Sequence, residues 1–243
     1  MAASQTRVVV GASRGLGHEF VKQLLARGDS VVATVRKPGL ENAASLWPNS
    51  EDRCQIYDCD MLSAESIDAF AKQLQQSGIG HIHDVVVNAG VLKYPNRASE
   101  ISYKDLAFHL HTNTIGPIIC AQKLLQTGIA IDRITFISSD SGSAQEFRDF
   151  EDGFAAYGAS KAALNQMLRH MAAELKRKGR DTTIIALHPG EVKTDMANID
   201  VGWDVEGQMT PAESVSACIK VIESKNANDS GTFWTWENKA YPW

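Results

Sequence analysis

Tyr157 and Lys161 bracket the pentapeptide YGASK. On an α-helix, positions i and i+4 share one face a turn apart, which would bring the Lys161 ammonium against the Tyr157 phenol. A free tyrosine titrates at about pH 10 and is a weak acid at neutral pH; a cation beside it stabilises the phenolate and lowers that value. Among the five tyrosines, only Tyr157 has a lysine four places on. The pair could donate a proton to a carbonyl oxygen, or act as a base in the reverse direction. Such pairs also arise on helix surfaces by chance, and the rest of the chain decides between the two.

A second chemical element stands near the start. GASRGLG sets Gly11, Gly15 and Gly17 between an apolar run at 7–13 and a helical pattern at 15–28. The spacing G-x-x-x-G-x-G departs from the common G-x-G-x-x-G fingerprint. The physics is shared: glycines let the backbone turn tightly beside a pyrophosphate, whose charge meets the positive end of a helix. In the next apolar run, VVATVRK, the position where an acid would bind the ribose hydroxyls of NAD is Val35. Arg36 follows it, and Arg14 lies inside the glycine loop. Guanidinium forks match a phosphate, so NADP(H) is expected as cofactor in preference to NAD.

The elements that must position these residues alternate along the chain. Apolar runs at 7–13, 30–36, 53–59, 82–90, 132–139, 182–190 and 231–236 read as strands; helical spacing marks 15–28, 63–78, 157–179 and 211–224. The region 99–128 reads as two helices broken near Thr112–Asn113. Strands apolar on both faces, alternating with helices, predict a doubly wound parallel sheet of seven strands covered on both sides. No repeat or linker divides the chain, so one α/β domain is expected over 1–243, with its ligand at the carboxyl ends of the strands.

Composition excludes other classes. A net charge of −5 argues against nucleic acid as a partner. Cys54, Cys59, Cys120 and Cys218 have no metal spacing, and the pairs His81/His83 and His109/His111 read as surface histidines, so no metal is expected. No apolar run approaches a membrane span, and MAASQTR has no secretory core. A cytoplasmic location is the expectation.

GASRGLG, VNAG (87–90), Asn113 in HTNTIGP, ISSDSG (137–142), YGASK and HPGEVKT (188–194), in this order, resemble the classical short-chain dehydrogenase/reductase family. The close, GTFWTWENKAYPW, is similar to that of the C-factor-like or sniffer-like subgroup, in which NADPH-linked carbonyl reductases are found. The resemblance implies a Rossmann-type fold and a catalytic set of Asn113, Ser139, Tyr157 and Lys161, with Asn113 anchoring a water that relays protons to Lys161. It implies that Gly11, Ser13, Arg14 and Leu16 line the cofactor phosphates, that Asp60 and Met61 meet the adenine, and that Asn88, Ala89 and Gly90 flank the adenosine ribose. Val192 and Thr194, after Pro189–Gly190, would hold the nicotinamide end, and Lys161 the nicotinamide ribose. Homodimers or homotetramers are common in the family. Two departures stand out: Val10 replaces the threonine that usually opens the glycine motif, and Ser139 and Tyr157 are further apart than usual. The extra loop, 144–154, is expected at the mouth of the substrate pocket.

The substrate implied is a small carbonyl compound or alcohol. Phe147, Phe150, Phe154 and Trp203 suggest an apolar or aromatic one, and Glu146, Asp149, Glu151 and Asp152 discourage an anion. The alternative is a non-catalytic NAD(P)-binding sensor of the C-factor type, which would need the glycine loop but not the catalytic four. An epimerase of the extended branch fits poorly, because too little chain follows Gly190.

Overall fold

The computed structural model describes residues 4–48, 50, 53–203, 205 and 207–243. Its strands are β1 (Thr6–Val10), β2 (Ser30–Val35), β3 (Cys54–Asp58), β4 (His81–Val87), β5 (Ala130–Ile137), β6 (Thr183–His188) and β7 (Thr232–Thr235). The α-helices are α1 (Gly15–Ala26), α2 (Ala64–Gln76), α3 (Tyr103–Leu110), α4 (Gly116–Gln126), α5 (Ala155–Arg177) and α6 (Pro211–Ser224). The strands form one parallel sheet in the order β3-β2-β1-β4-β5-β6-β7. This is the single Rossmann-like domain expected from the alternating pattern.

Successive side chains of a strand point to opposite faces, and β1 shows what that demands here. Val8 and Val10 pack with Phe70, Leu74, Leu124 and Leu164 under α2, α4 and α5. Val9 packs on the other face with Phe20, Leu24, Val215 and Ile219 of α1 and α6. Both faces are buried, hence the unbroken apolar run. Each large side chain so buried contributes about 1.5–3 kcal/mol relative to exposure.

The chain moves outward from β1 to β2 and β3, then returns to lay β4 on the other side of β1. The loops leaving β1 and β4 therefore diverge, which opens a crevice at the carboxyl end of the sheet. Val10 pairs with Val87, so Gly11 and Asn88 leave the sheet at one level.

Helix ends follow their local chemistry. The Ser63 hydroxyl accepts from the Ser66 N–H at 3.1 Å to start α2, and Thr210 with Glu213 forms a capping box before Pro211 at the start of α6. The break expected near Thr112–Asn113 is absent. Residues His111–Ile115 form one wide π turn that joins α3 to α4 without interruption. Thr112, Asn113 and Thr114 are poor helix formers, but the widened turn points them inward, where all three are buried. His109 is also buried rather than superficial: its Nε2 accepts from the Lys93 N–H at 3.1 Å, and its Nδ1 bonds the Asp105 carbonyl at 2.7 Å. No helix among the described residues is long and apolar enough to cross a membrane.

Candidate active site

A cleft of about 730 Å³ runs along the carboxyl ends of the strands. At one end it is floored by the turn after β1. The Gly11 N–H donates to Thr34 Oγ1 at 3.0 Å, the Ala12 N–H to the Thr34 carbonyl at 2.8 Å, and Asn88 Nδ2 to the Gly11 carbonyl at 2.8 Å. Gly11 has φ +85°, and a Cβ there would lie 2.7 Å from Ala89 Cα, so only glycine permits this approach of the two loops. Helix α1 begins at Gly15 with no side-chain cap from Arg14, which leaves its first amides open to the cleft. Ser13, Arg14, Gly15 and Leu16 all line it.

Gly17 does not line it. A Cβ at Gly17 would lie 2.1 Å from the Gly11 carbonyl oxygen and 2.6 Å from Asn88 Nδ2. This glycine serves the packing of helix against turn, rather than contact with a ligand. Arg36, exposed at the end of β2, faces the cleft beside Arg14, whose guanidinium lies 3.8 Å from Asp195. Asp60 and Met61 after β3, and Asn88, Ala89 and Gly90 after β4, continue the wall. On the far side Pro189, Gly190, Val192 and Thr194 follow β6. Ser214 Oγ donates to the Pro189 carbonyl at 2.7 Å and fixes that turn.

Ser139, Tyr157 and Lys161 come together midway. Lys161 Nζ lies 5.7 Å from the centroid of the Tyr157 ring and donates to the Ile137 carbonyl at 2.8 Å. Burial lowers the Lys161 ammonium to about 8. Burial likewise pushes the Tyr157 phenol up; Ser139 works in the opposite direction, and the carboxylates of Asp140, Glu191 and Glu151 reinforce the rise. The expected acidification of the phenol is thus not a property of the protein side chains alone, because loss of water outweighs the Ser139 hydrogen bond. Ser139 Oγ donates to Asp140 Oδ1 at 3.0 Å.

Asn113 stands apart from the other three. It is fully buried and does not line the cleft. Its Oδ1 accepts from the Val91 N–H at 2.8 Å, and its Nδ2 donates to the Val91 carbonyl and to Ser160 Oγ, each at 2.9 Å. The side chain clamps the loop after β4 onto α5. Both polar atoms of the side chain are engaged with protein, so the amide itself acts as a clamp.

Of the aromatic residues expected near the substrate, Phe150, Phe154 and Trp203 line the cleft and pack together, with centroids of 5.4 Å for Phe150–Trp203 and 6.2 Å for Phe154–Trp203. Phe147 is 80% exposed and lies outside the cleft. Among the loop acids only Glu151 reaches it; Asp152 pairs with Arg97 at 2.8 Å instead.

Two positioning residues escaped the sequence reading. Thr34 is a fully buried hydroxyl within the apolar run VVATV of β2, and that anomaly is a usable signal. Asn96 Oδ1 accepts from the Ala156 N–H at 2.6 Å and the Tyr157 N–H at 3.4 Å, which fixes the start of α5. Nothing local in YPNR announces it.

Comparison with known proteins gives the family and the fold. The family described as short chain dehydrogenase matches residues 5–203. An uncharacterised oxidoreductase of Schizosaccharomyces pombe is 30% identical over 96% of this chain and 96% of its own. The crystal structure of an NADPH-bound carbonyl reductase from chicken fatty liver has a TM-score of 0.85 at 30% identity, with 99% of each chain covered. A short-chain dehydrogenase/reductase from Burkholderia multivorans with bound NADP has a TM-score of 0.82 at 27% identity, over 99% of this chain and all of the other. With the family matched along most of its length and the fold along nearly all, this chain belongs to the short chain dehydrogenase family of oxidoreductases.

Proposed function

We propose that the protein is an NADPH-dependent carbonyl reductase that converts a ketone or aldehyde reversibly to the alcohol. One observation carries the reading: Ser139, Tyr157 and Lys161 converge on the same cleft into which the uncapped start of α1 opens. The far end of that cleft suits a phosphorylated dinucleotide, because Arg14 and Arg36 face it and Val35 supplies no carboxylate. The chicken and Burkholderia neighbours, which bind NADPH and NADP, support the same choice.

NADPH supplies the hydride. In this reading the first amides of α1, with Gly11, Ser13 and Leu16, receive the diphosphate, and Arg14 and Arg36 take the 2′-phosphate. Asp60 and Met61 border the adenine, and Asn88, Ala89 and Gly90 the adjacent ribose. Pro189, Gly190, Val192 and Thr194 border the nicotinamide end. Lys161 holds its ammonium by the phenol, steadies the second ribose and favours the phenolate once the proton has left. Tyr157 gives its proton to the substrate oxygen, which Ser139 orients. The wall of Phe150, Phe154 and Trp203 suits an apolar or aromatic carbonyl compound. The resemblance of the closing sequence, GTFWTWENKAYPW, supports the C-factor-like or sniffer-like subgroup.

The test is a thermal-shift comparison of NADPH with NADH, then a carbonyl panel. A ligand at 100 times its Kd adds about 2.7 kcal/mol of stability. Tyr157→Phe should keep the NADPH-induced shift and lose about 10²–10⁴ in rate; an unchanged rate overturns the assignment. Binding without turnover on any carbonyl would instead favour the sensor reading.

A further inference from the structure

The loop between Ser139 and Tyr157 carries a cation that the catalytic reading leaves unused. Arg148 Nη2 donates to Asp140 Oδ2 at 2.6 Å, and its Nη1 to Glu151 Oε1 at 2.9 Å. Asp140 Oδ1 in turn accepts from Ser139 Oγ at 3.0 Å and from the Ser141 N–H at 2.8 Å. Glu151 Oε2 accepts from Ser141 Oγ at 2.9 Å. The guanidinium therefore closes a circuit. It binds the turn that presents Ser139 to the segment that leads into α5, six residues before Tyr157.

We infer that Arg148 is a positioning residue for this active site: it holds Ser139 and Tyr157 in register, and its charge offsets the carboxylates that face the phenol. The inference rests on the proposed roles of Ser139 and Tyr157. It makes the extra loop part of the machinery rather than a cover over the substrate. An arginine suits the task because its planar fork reaches two carboxylates at once, as a lysine cannot.

The charge argument follows from what surrounds Tyr157. Asp140 in the turn after β5, Glu151 in the loop and Glu191 in the turn after β6 line the same cleft as Tyr157, and the charge of each acts to raise the phenol. Lys161 lies on its own helix, His188 at the end of β6 sets its Nδ1 3.6 Å from Asp140 Oδ1, and Tyr241 from beyond β7 stacks on His188 with ring centroids 6.4 Å apart. Arg148 thus stands directly on two of the three carboxylates. Without it the charge of those two carboxylates is no longer offset at its source, and the phenol should titrate higher.

The experiment compares Arg148→Met and Arg148→Lys with the unmodified enzyme. It measures kcat and KM for carbonyl reduction, the Kd for NADPH, and the pH profile of kcat/KM for alcohol oxidation. Arg148→Met should lower kcat at least tenfold and leave the NADPH Kd within twofold. It should also move the alkaline rise of the oxidation profile up by about half to one pH unit. Arg148→Lys should restore the pH profile, since it returns the charge, but only part of kcat, since it cannot bridge both acids. Rates within twofold of the unmodified enzyme overturn the inference. So does a loss in Arg148→Met that lysine restores nowhere and that follows NADPH affinity and melting temperature down together. If Tyr157→Phe is inactive while Arg148→Met is normal, this inference fails and the functional reading stands; if Tyr157→Phe keeps its activity, the functional reading fails.

Discussion

Lys161 Nζ donates to the carbonyl oxygen of Ile137 at 2.8 Å, and this bond ties the helix that carries the phenol to the last residue of the strand that leads to Ser139. Lys161 as a whole is 4% exposed. A buried cation satisfied by one carbonyl is held against its solvation preference, which is why burial brings Lys161 down to about 8.

That displacement sets a sign for stability. Between pH 8 and 10.5, the unfolded chain binds the Lys161 proton and the folded one releases it, so this group makes stability rise with pH over that window. Below pH 8 its cost is present in full. Lys161→Met should therefore be more stable than the unmodified protein at pH 7, by about 1–2 kcal/mol once the orphaned Ile137 carbonyl is counted. The advantage should shrink towards pH 10, while carbonyl reduction falls about 10²-fold or more. Denaturant titrations at the two pH values measure it; a variant less stable at pH 7 would show that burial of the ammonium carries no penalty.

Arg14 and Arg36 provide a separable test of cofactor choice. Both guanidiniums face one end of the cleft. A hydrogen bond to a charged group is worth about 1.5–3 kcal/mol. Arg14→Ala with Arg36→Ala should then weaken NADPH about 10²-fold or more and change NADH several-fold at most. Fluorescence titrations with each cofactor give the ratio. Equal losses for both would mean that the arginines act on the diphosphate, or on loop order through the Arg14–Asp195 contact, rather than on a 2′-phosphate.

How far the chain could be read beforehand follows from where each signal resides. The strands were legible because a sheet covered on both faces leaves apolar runs such as RVVV, and α6 because its helical spacing starts on Pro211; the capping box of Thr210 and Glu213 came to light only with the structure. Tyr157 and Lys161 were legible because helical spacing alone puts them on one face. The π turn was not: Thr112, Asn113 and Thr114 weaken a helix by propensity, and only Val91 and Ser160, remote in sequence, hold them in it. The height of the phenol's titration was hidden for a similar reason. It depends first on burial of Tyr157 and then on the charges of Asp140, Glu191 and Glu151, which no local spacing encodes.

Asn113 offers the sharpest contrast between a relay and a clamp. A Cβ placed at Gly90 would lie 3.4 Å from Asn113 Oδ1 and 3.6 Å from Lys161 Nζ, so the amide backs the same short segment that the lysine faces. Asn113→Ala would leave the partly buried Val91 N–H and C=O without their side-chain partner. Each buried group so stranded costs about 1–3 kcal/mol; a total loss of about 2–4 kcal/mol is expected, seen as a lower urea midpoint with an unchanged m-value. Because the segment then no longer holds its place beside Lys161, activity should fall as well. Shortening of the amide acts on the fold first and on the reaction through it. If the urea midpoint stayed put while turnover collapsed, the clamp would be dispensable, and the amide would have to act on the proton path itself.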